Sequence, residues 1–187
     1  YRSDGFKIHL TPTMGALHAG HLKLVKGSKK IKSIVVVSIF VNPSQFGPKE
    51  DYKDYPRTLK NDLKVLKKYG ADIVFTPIQK QILSHKTKHN CPQFAIEKRL
   101  CGKSRPNYFP GVKNIVLKLF DIVQPDAAFF GEKDAQQLRI VQKLVKDLNY
   151  PIYIISCPII REENGLARSS RNDYLTETER NIASTIN

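Results

Sequence analysis

Acidic residues are the scarce charge in this sequence. Against 31 Lys and Arg stand only 17 Asp and Glu, so the 187-residue chain carries a formal charge of +14. That balance excludes no fold, but it points to anionic partners: nucleic acid, nucleotides, small carboxylates or acidic lipid surfaces. Cysteine is also rare. Cys91, Cys101 and Cys157 are too few and too scattered for a disulfide scaffold and lack short metal-ligand spacing, which suits a reducing cytosol. No apolar run approaches the roughly 18 residues of a membrane span. The opening YRSDGFKIHL breaks its apolar stretch too early for a signal peptide. A Walker loop (G-x-x-x-x-G-K-[ST]) and a G-x-G-x-x-G fingerprint are both missing, so any nucleotide must be held in another way. The first residue is Tyr1 rather than Met, and the last, Ile186-Asn187, fall inside a polar, helix-like stretch. The expectation is a piece cut from a longer protein.

What is present argues for a folded domain. With 41% hydrophobic residues the chain is no disordered basic tail. A chain of this length buries roughly 70% of its extended surface, enough for a core without disulfide or metal. Segment 6–10 reads as a short strand entering the turn-rich Thr11-Pro12-Thr13-Met14-Gly15, and 17–32 as a helix with lysines outward. Segment 33–41 (SIVVVSIFV) is the strongest strand, almost continuously apolar and β-branched, as a strand buried on both faces should be. Leu59, Leu63, Leu66 and Tyr69 recur at helical spacing, Gly70 closes that helix, and 73–75 is a short strand. The stretch 77–110, punctuated by Pro77, Pro92, Pro106 and Pro110, has no single reading; within it 94–100 suits a short helix or a strand. Helix 113–120, strand 127–130, a helix marked by Leu138, Val141, Leu144, Val145 and Leu148, and strand 152–155 follow. Alternating strands and helices predict an α/β fold with a parallel sheet, whose ligands gather beyond the strand ends.

Five polar motifs fall near those ends. In PTMGALHAGH (12–21), Gly15 and Gly20 allow close backbone approach, and His18 and His21, three apart, project from one face of a first helical turn. A strand-to-helix turn with free N–H groups and two donor imidazoles suits phosphate. A zinc pair or a structural histidine cap is the alternative; zinc needs a third ligand, and His9, His85 and His89 have no obvious spacing for it. In FVNPSQF (40–46), Asn42 and Gln45 are neutral amides that orient hydroxyls and carboxylates, or simply an Asn-Pro turn. In YPRTLKNDL (55–63), Asp62 near a helix start suits either Mg²⁺ beside a triphosphate or the helix dipole. GEKDAQQ (131–137) offers Lys133 to phosphate, Asp134 to a hydroxyl, amine or metal-bound water, and Gln137 one turn farther on. RSSRN (168–172) sets two hydroxyls between two guanidiniums, a polyphosphate clamp or a solvated basic loop. Nucleic acid is bound through many dispersed phosphate contacts, whereas motifs at successive strand ends favour a compact nucleotide enzyme over a basic RNA-binding module.

Taken in order, PTMGALHAGH, VVSIFVNPSQF, EDYKDYPRTLKNDL, FFGEKDAQQLRIVQKLV and GLARSSRNDYLTETER resemble the pantoate–β-alanine ligase family over nearly the whole chain. The resemblance implies an α/β fold with a Rossmann-like parallel sheet flanked by helices. It is of the HxGH nucleotidyltransferase type, related to class I aminoacyl-tRNA synthetases and cytidylyltransferases, with His18-Ala19-Gly20-His21 as signature. It implies ATP-dependent condensation of pantoate with β-alanine through pantoyl adenylate, releasing pyrophosphate and AMP. By position, Met14, Gly15, Ala16, Leu17, His18, Ala19, Gly20 and His21 would bind ATP. Gly131, Glu132, Lys133, Asp134, Ile160, Arg168, Ser169, Ser170 and Arg171 would share that task. Asn42, Gln45 and Gln137 would hold pantoate, with Gln45 also near β-alanine, and Asp62 matches a carboxylate associated with Mg²⁺. The implied catalytic set is His21 as proton donor and His18 on phosphate, with Lys133 and Arg171 offsetting charge.

The family further implies a cytoplasmic homodimer with no nucleic-acid or membrane partner. A catalytic domain over 1–175 and, in 176–187, the start of a smaller closing domain are expected, so the chain alone should turn over weakly or not at all. Departures lie in 105–112, where Tyr108 stands for a usual His and Pro110 for a usual Arg. Arg168 replaces an apolar residue and His9 a glycine. These changes bear on substrate affinity more than on reaction class.

Overall fold

A computed structural model of the chain describes residues 1–30 and 32–186. Ile31, inside the expected helix 17–32, and Asn187, inside the segment 176–187, lie outside the described residues. Five strands, β1 (Lys7–Thr13), β2 (Ser33–Ile39), β3 (Ile73–Phe75), β4 (Ala127–Gly131) and β5 (Tyr153–Cys157), form one parallel sheet in the order β3-β2-β1-β4-β5. The helices are α1 (Ala19–Ser28), α2 (Leu59–Lys68), α3 (Gln79–Ser84), α4 (Cys101–Ser104), α5 (Tyr108–Val123), α6 (Ala135–Asp147) and α7 (Glu177–Ala183). The chain winds from β1 to one edge, then returns to place β4 on the other side of β1. A crevice opens beyond the carboxyl ends of strands at such a reversal.

The pattern of β2 follows from its place. Ile34 and Val36 join a core with Val112, Val116 and Leu119 of α5 and Val141 of α6, while Val35 and Val37 pack with Val25 of α1 and Leu66 of α2. Helices thus cover both faces, and the α/β reading holds. β1 runs past the expected 6–10 as far as Thr13. Pro12 is tolerated there because the ladder with β4 covers only His9 and Leu10, leaving Pro12 paired on the β2 side alone.

Three helices differ from the expected spans. α1 is shorter than 17–32 because His18 takes an extended backbone (φ −124°, ψ 176°) and caps the helix. At its other end His9 Nδ1 lies 2.6 Å from the Ser28 carbonyl. α5 begins at Tyr108 instead of 113, with Pro110 in a first turn whose N–H groups have no intrahelical partner. In α2 only Leu66 of the expected apolar stripe is fully buried; Leu59, Leu63 and Tyr69 stay exposed and Asp62 is buried instead. Of the two readings of 94–100 the short helix holds, as a 3₁₀ helix at Ala95–Lys98. Long-range contacts hold it: Lys113 pairs with Glu97 at 2.5 Å and donates to the Pro92 carbonyl.

Candidate active site

β1 ends at Thr13, and the chain turns through 14–18 into α1. Gly15 (φ +81°) and Ala16 (φ +49°) take left-handed backbone in succession, a conformation that disfavours any residue with a Cβ. The turn is held from beneath by Asp62, whose buried carboxylate accepts the N–H of Ala16 at Oδ2 (3.1 Å) and of Leu17 at Oδ1 (3.0 Å). The Thr58 hydroxyl lies 3.2 Å from both oxygens. A Cβ on Gly15 would come within 3.1 Å of Asp62 Oδ2, a tight approach that, with the positive φ, favours glycine.

Other N–H groups of the turn are also engaged: Gly15 donates to Thr13 Oγ1, Gly20 to His18 Nδ1 (3.1 Å) and His18 to His21 Nδ1 (3.4 Å). The N–H groups of Gly15, Ala16, Leu17, His18 and Gly20 are thus taken by inward hydrogen bonds instead of standing free for phosphate. The chemistry of the turn resides in its imidazoles.

Those rings lie 4.1 Å apart, centroid to centroid. Since each Nδ1 accepts a backbone N–H, each neutral ring carries its proton on Nε2. Burial, then the charges of Lys133 and Arg168, lowers the pKa of His18 against a smaller opposing effect of Asp134 and Asp173. Burial, His18 and Lys133 lower that of His21 to about 3. At neutral pH His21 thus offers a fixed N–H donor rather than an acidic proton.

Around the rings the crevice is lined by Met14, Gly20, Gln45, Gly131, Lys133, Asp134, Gln137, Ile160 and residues 168–171. Its apolar lining, which the sequence reading missed, comes from Phe40 and from Val112, Ile115, Val116 and Leu119 of α5. Helical periodicity marked α5 but not which of its residues would meet a ligand. Tyr55 was missed as well, whereas Tyr108, singled out as a departure from the family pattern, does line the crevice. The Tyr108 hydroxyl donates to Gln137 Oε1 (3.2 Å), and the Arg105 guanidinium lies 4.0 Å from the Tyr108 ring centroid. Pro110 is exposed and outside the lining.

Several of the expected ligand residues lie outside this lining. Gly15, Ala16, Leu17, Ala19 and Glu132 do not line this crevice. Asn42 is buried and donates from Nδ2 to Gln45 Oε1 (3.2 Å) and the Gly111 carbonyl (3.1 Å), while its Oδ1 accepts from Ser44 N (3.2 Å). Its polar atoms shape the Pro43–Gln45 turn and hold Gln45, whose Nε2 meets Met14 Sδ at 3.1 Å. Of the two alternatives for Asp62, the structure places it in the first turn of α2, as the helix-dipole reading expects. Each of its oxygens already takes a backbone N–H and a share of the Thr58 hydroxyl, a donor set that does not fit a Mg²⁺ ligand. Among the described residues no three His, Cys, Asp or Glu side chains gather as a metal site, and no helix is long and apolar enough to cross a membrane.

The cations of the crevice are paired. Arg171 forks the Asp51 carboxylate through Nε and Nη2, both at 2.8 Å, and lies 5.3 Å from the Tyr55 ring centroid. The Tyr55 and Ser170 hydroxyls are 3.1 Å apart. Hydrogen bonding to Arg171 holds the Asp51 carboxyl below its usual pKa. Arg168 meets Glu162 at 3.5 Å and Lys133 meets Asp134 at 3.3 Å, so an incoming phosphate competes with carboxylates. The Ile160 carbonyl already accepts the Arg168 N–H (2.9 Å), and Ser169 Oγ accepts the Arg171 N–H (3.3 Å).

The family described as Pantoate-beta-alanine ligase matches residues 1–187. A pantothenate synthetase of Clostridium botulinum (strain Loch Maree / Type A3) is 49% identical over 187 residues, 100% of this chain and 66% of that protein. The structure of pantothenate synthetase from Thermus thermophilus superposes with a TM-score of 0.90 at 42% identity, covering 95% of this chain and 65% of that one. The pantoate-beta-alanine ligase of Francisella tularensis, solved in complex with Beta-gamma ATP and Beta-alanine, gives 0.89 at 43% identity over 97% and 70% of the two chains. The chain thus spans 66% of the length of the Clostridium relative. Matched by the family from Tyr1 to Asn187 and sharing its backbone with two solved structures of these names, the chain belongs to the pantoate-beta-alanine ligase family.

Proposed function

We propose that this chain forms the catalytic part of an enzyme that joins pantoate to β-alanine with ATP, giving pantothenate, AMP and pyrophosphate through pantoyl adenylate. The observation that carries this reading is the pair of Nε2–H donors on His18 and His21, sharing one crevice with the amides of Gln45 and Gln137. The Francisella neighbour, complexed with Beta-gamma ATP and Beta-alanine, supports a nucleotide and β-alanine as ligands. In the first step a carboxylate oxygen of pantoate bonds to the α-phosphorus and the bond to pyrophosphate breaks. Charge grows on the departing oxygen, where fixed neutral N–H donors stabilise it without reorganising. Lys133 and Arg171 offset the repulsion between two anions, Arg171 by exchanging Asp51 for phosphate. Gln45 and Gln137 orient pantoate's carboxylate and hydroxyls, and the apolar side chains of α5 receive its two methyl groups. In the second step the amine attacks the acyl carbon and AMP departs, a far better leaving group than hydroxide.

In this reading 1–175 is the catalytic domain and 176–187 begins a smaller domain. Helix α7, which buries none of its residues and is tethered through Arg180 to Glu162 at 2.7 Å, supports that division. The exposed Leu59 and Leu63 of α2 support a homodimer. Magnesium, when bound with the nucleotide, supplies neutralising charge; no residue of this chain is assigned to it. The reaction belongs to the cytoplasm. Isotope exchange between pyrophosphate and ATP, on this chain and on the full-length protein, tests the proposal. Exchange should require pantoate, and net AMP should require β-alanine too. Formation of ADP, or exchange equally fast without pantoate, would sink it.

A further inference from the structure

We propose that Asp62 is a positioning residue for the signature histidines, acting through the backbone of Ala16 and Leu17 rather than through a metal ion. Its carboxylate is 1% exposed, and no Lys, Arg or His pairs with it among the described residues. A buried charge without a counter-ion persists only when hydrogen bonds replace its lost water. Here the replacement is two peptide N–H groups and one hydroxyl. Both peptides belong to the turn that launches α1. Ala16, at φ +49°, is held in a backbone region that an alanine adopts only when its surroundings over-determine it.

Leu17 directly precedes His18, whose N–H reaches His21 Nδ1 and whose own Nδ1 caps Gly20. If the Ala16 and Leu17 peptides rotate, His18 loses its cap geometry and His21 loses the hydrogen bond that fixes its tautomer. The chain of influence therefore runs from Asp62 to the peptide planes, then to His18, then to His21. Asp62 itself is absent from the crevice lining that contains both histidines.

The test rests on the proposed reaction for one readout and is free of it for another. In unliganded protein, the Ala16 and Leu17 amides should exchange hydrogen with solvent at least about tenfold faster in Asp62→Asn than in wild type. Asn keeps the shape and one acceptor oxygen but turns an NH₂ toward a backbone donor, so it carries the test should Asp62→Ala not fold. In pantoate-dependent pyrophosphate–ATP exchange, Asp62→Asn should lower kcat by about 10- to 100-fold, with the KM for ATP and the magnesium concentration for half-maximal rate within about twofold. Adding Ala16→Gly should recover about threefold or more of the lost rate, because glycine holds the left-handed turn unaided. A metal ligand predicts the opposite: a magnesium requirement raised about tenfold, unchanged amide exchange and no rescue by glycine. Any of those three results overturns the positioning role. Wild-type protein inactive in full-length form would instead defeat the proposed reaction, leaving amide exchange to decide the role of Asp62.

Discussion

The two flanks of the crevice are held by different forces, and a pair of aspartates shows how. Asp62 accepts two N–H donors that belong to peptides and is 1% exposed. Asp51 accepts two that belong to the Arg171 guanidinium, and the side chains of this pair are 26% and 40% exposed. In the proposed reaction, stabilising a leaving group on the Asp62 flank would depend on donors that do not move, and the turn that carries them is tied to a buried carboxylate. On the Asp51 flank, the proposed entry of a nucleotide would require partners that can be exchanged. A partly exposed ion pair is worth about 0–1 kcal/mol, so opening it costs little. One wall is built to stay and the other to trade.

The contrast should be largest at His21. Replacing it with alanine removes a fixed donor and should slow adenylate formation by about 10²- to 10³-fold in single turnovers, with the Kd for ATP changed less than about threefold. Arg171→Ala should do the reverse, weakening ATP binding more than it slows the chemical step. Two variants with the same profile would erase the distinction between the walls.

Stability separates the aspartates next. Asp62→Ala leaves two part-buried N–H groups without their acceptor, at up to about 1–2 kcal/mol each, so urea unfolding should report a loss of about 1–4 kcal/mol. Asp51→Ala should lie within about 1 kcal/mol of wild type. Acid acts on the same asymmetry. The pKa of His21 falls from 6.5 to about 3 on folding, so the unfolded chain takes up the proton first. Stability should be flat above pH 6.5 on this account and fall toward pH 3 by up to about 1.4 kcal/mol per unit. His21→Gln should flatten that slope. Asp51, lowered from 3.8, adds a contribution present above that value and lost in stronger acid.

How much of this was legible in the residues depends on the range of the interaction. β2 and β4 were readable because burial on both faces leaves continuous apolar runs. His18, His21, Gln45, Lys133 and Gln137 were readable from short motifs at strand ends, and all five line the crevice. The end of β1 was hidden by Pro12, whose tolerance depends on how far a neighbouring ladder extends. The stretch 77–110 was hidden because its anchors are Lys113 and Lys118 on a later helix. Asp62 was legible as a first-turn carboxylate of α2, but its long-range partners were not. Its partners lie 46 and 45 residues away and are backbone groups, which no side-chain motif announces. The Asp51–Arg171 fork spans 120 residues, and nothing local distinguishes Asp51 from the other charges around it.

The finest probe of the exchangeable wall is Asp51→Asn. Asparagine keeps one oxygen for Arg171 but gives up the fork and the charge, so the guanidinium meets phosphate with a weaker competitor and one carboxylate fewer repelling it, Glu50 remaining nearby. Both changes act in the same direction. Since the pair is partly exposed, the gain in ATP affinity by calorimetry should be only about two- to fivefold, the equivalent of at most about 1 kcal/mol. It should shrink as salt is raised to about 1 M, where charges are screened beyond about 3 Å. Asp62→Asn in the same titration should show no such salt-sensitive gain, because its partners are peptides behind the turn. A loss of affinity in Asp51→Asn would mean that Asp51 aims Arg171 at the phosphate instead of competing with it. Both walls would then be preorganised, and entry of the nucleotide would have to be explained by motion of the loops themselves.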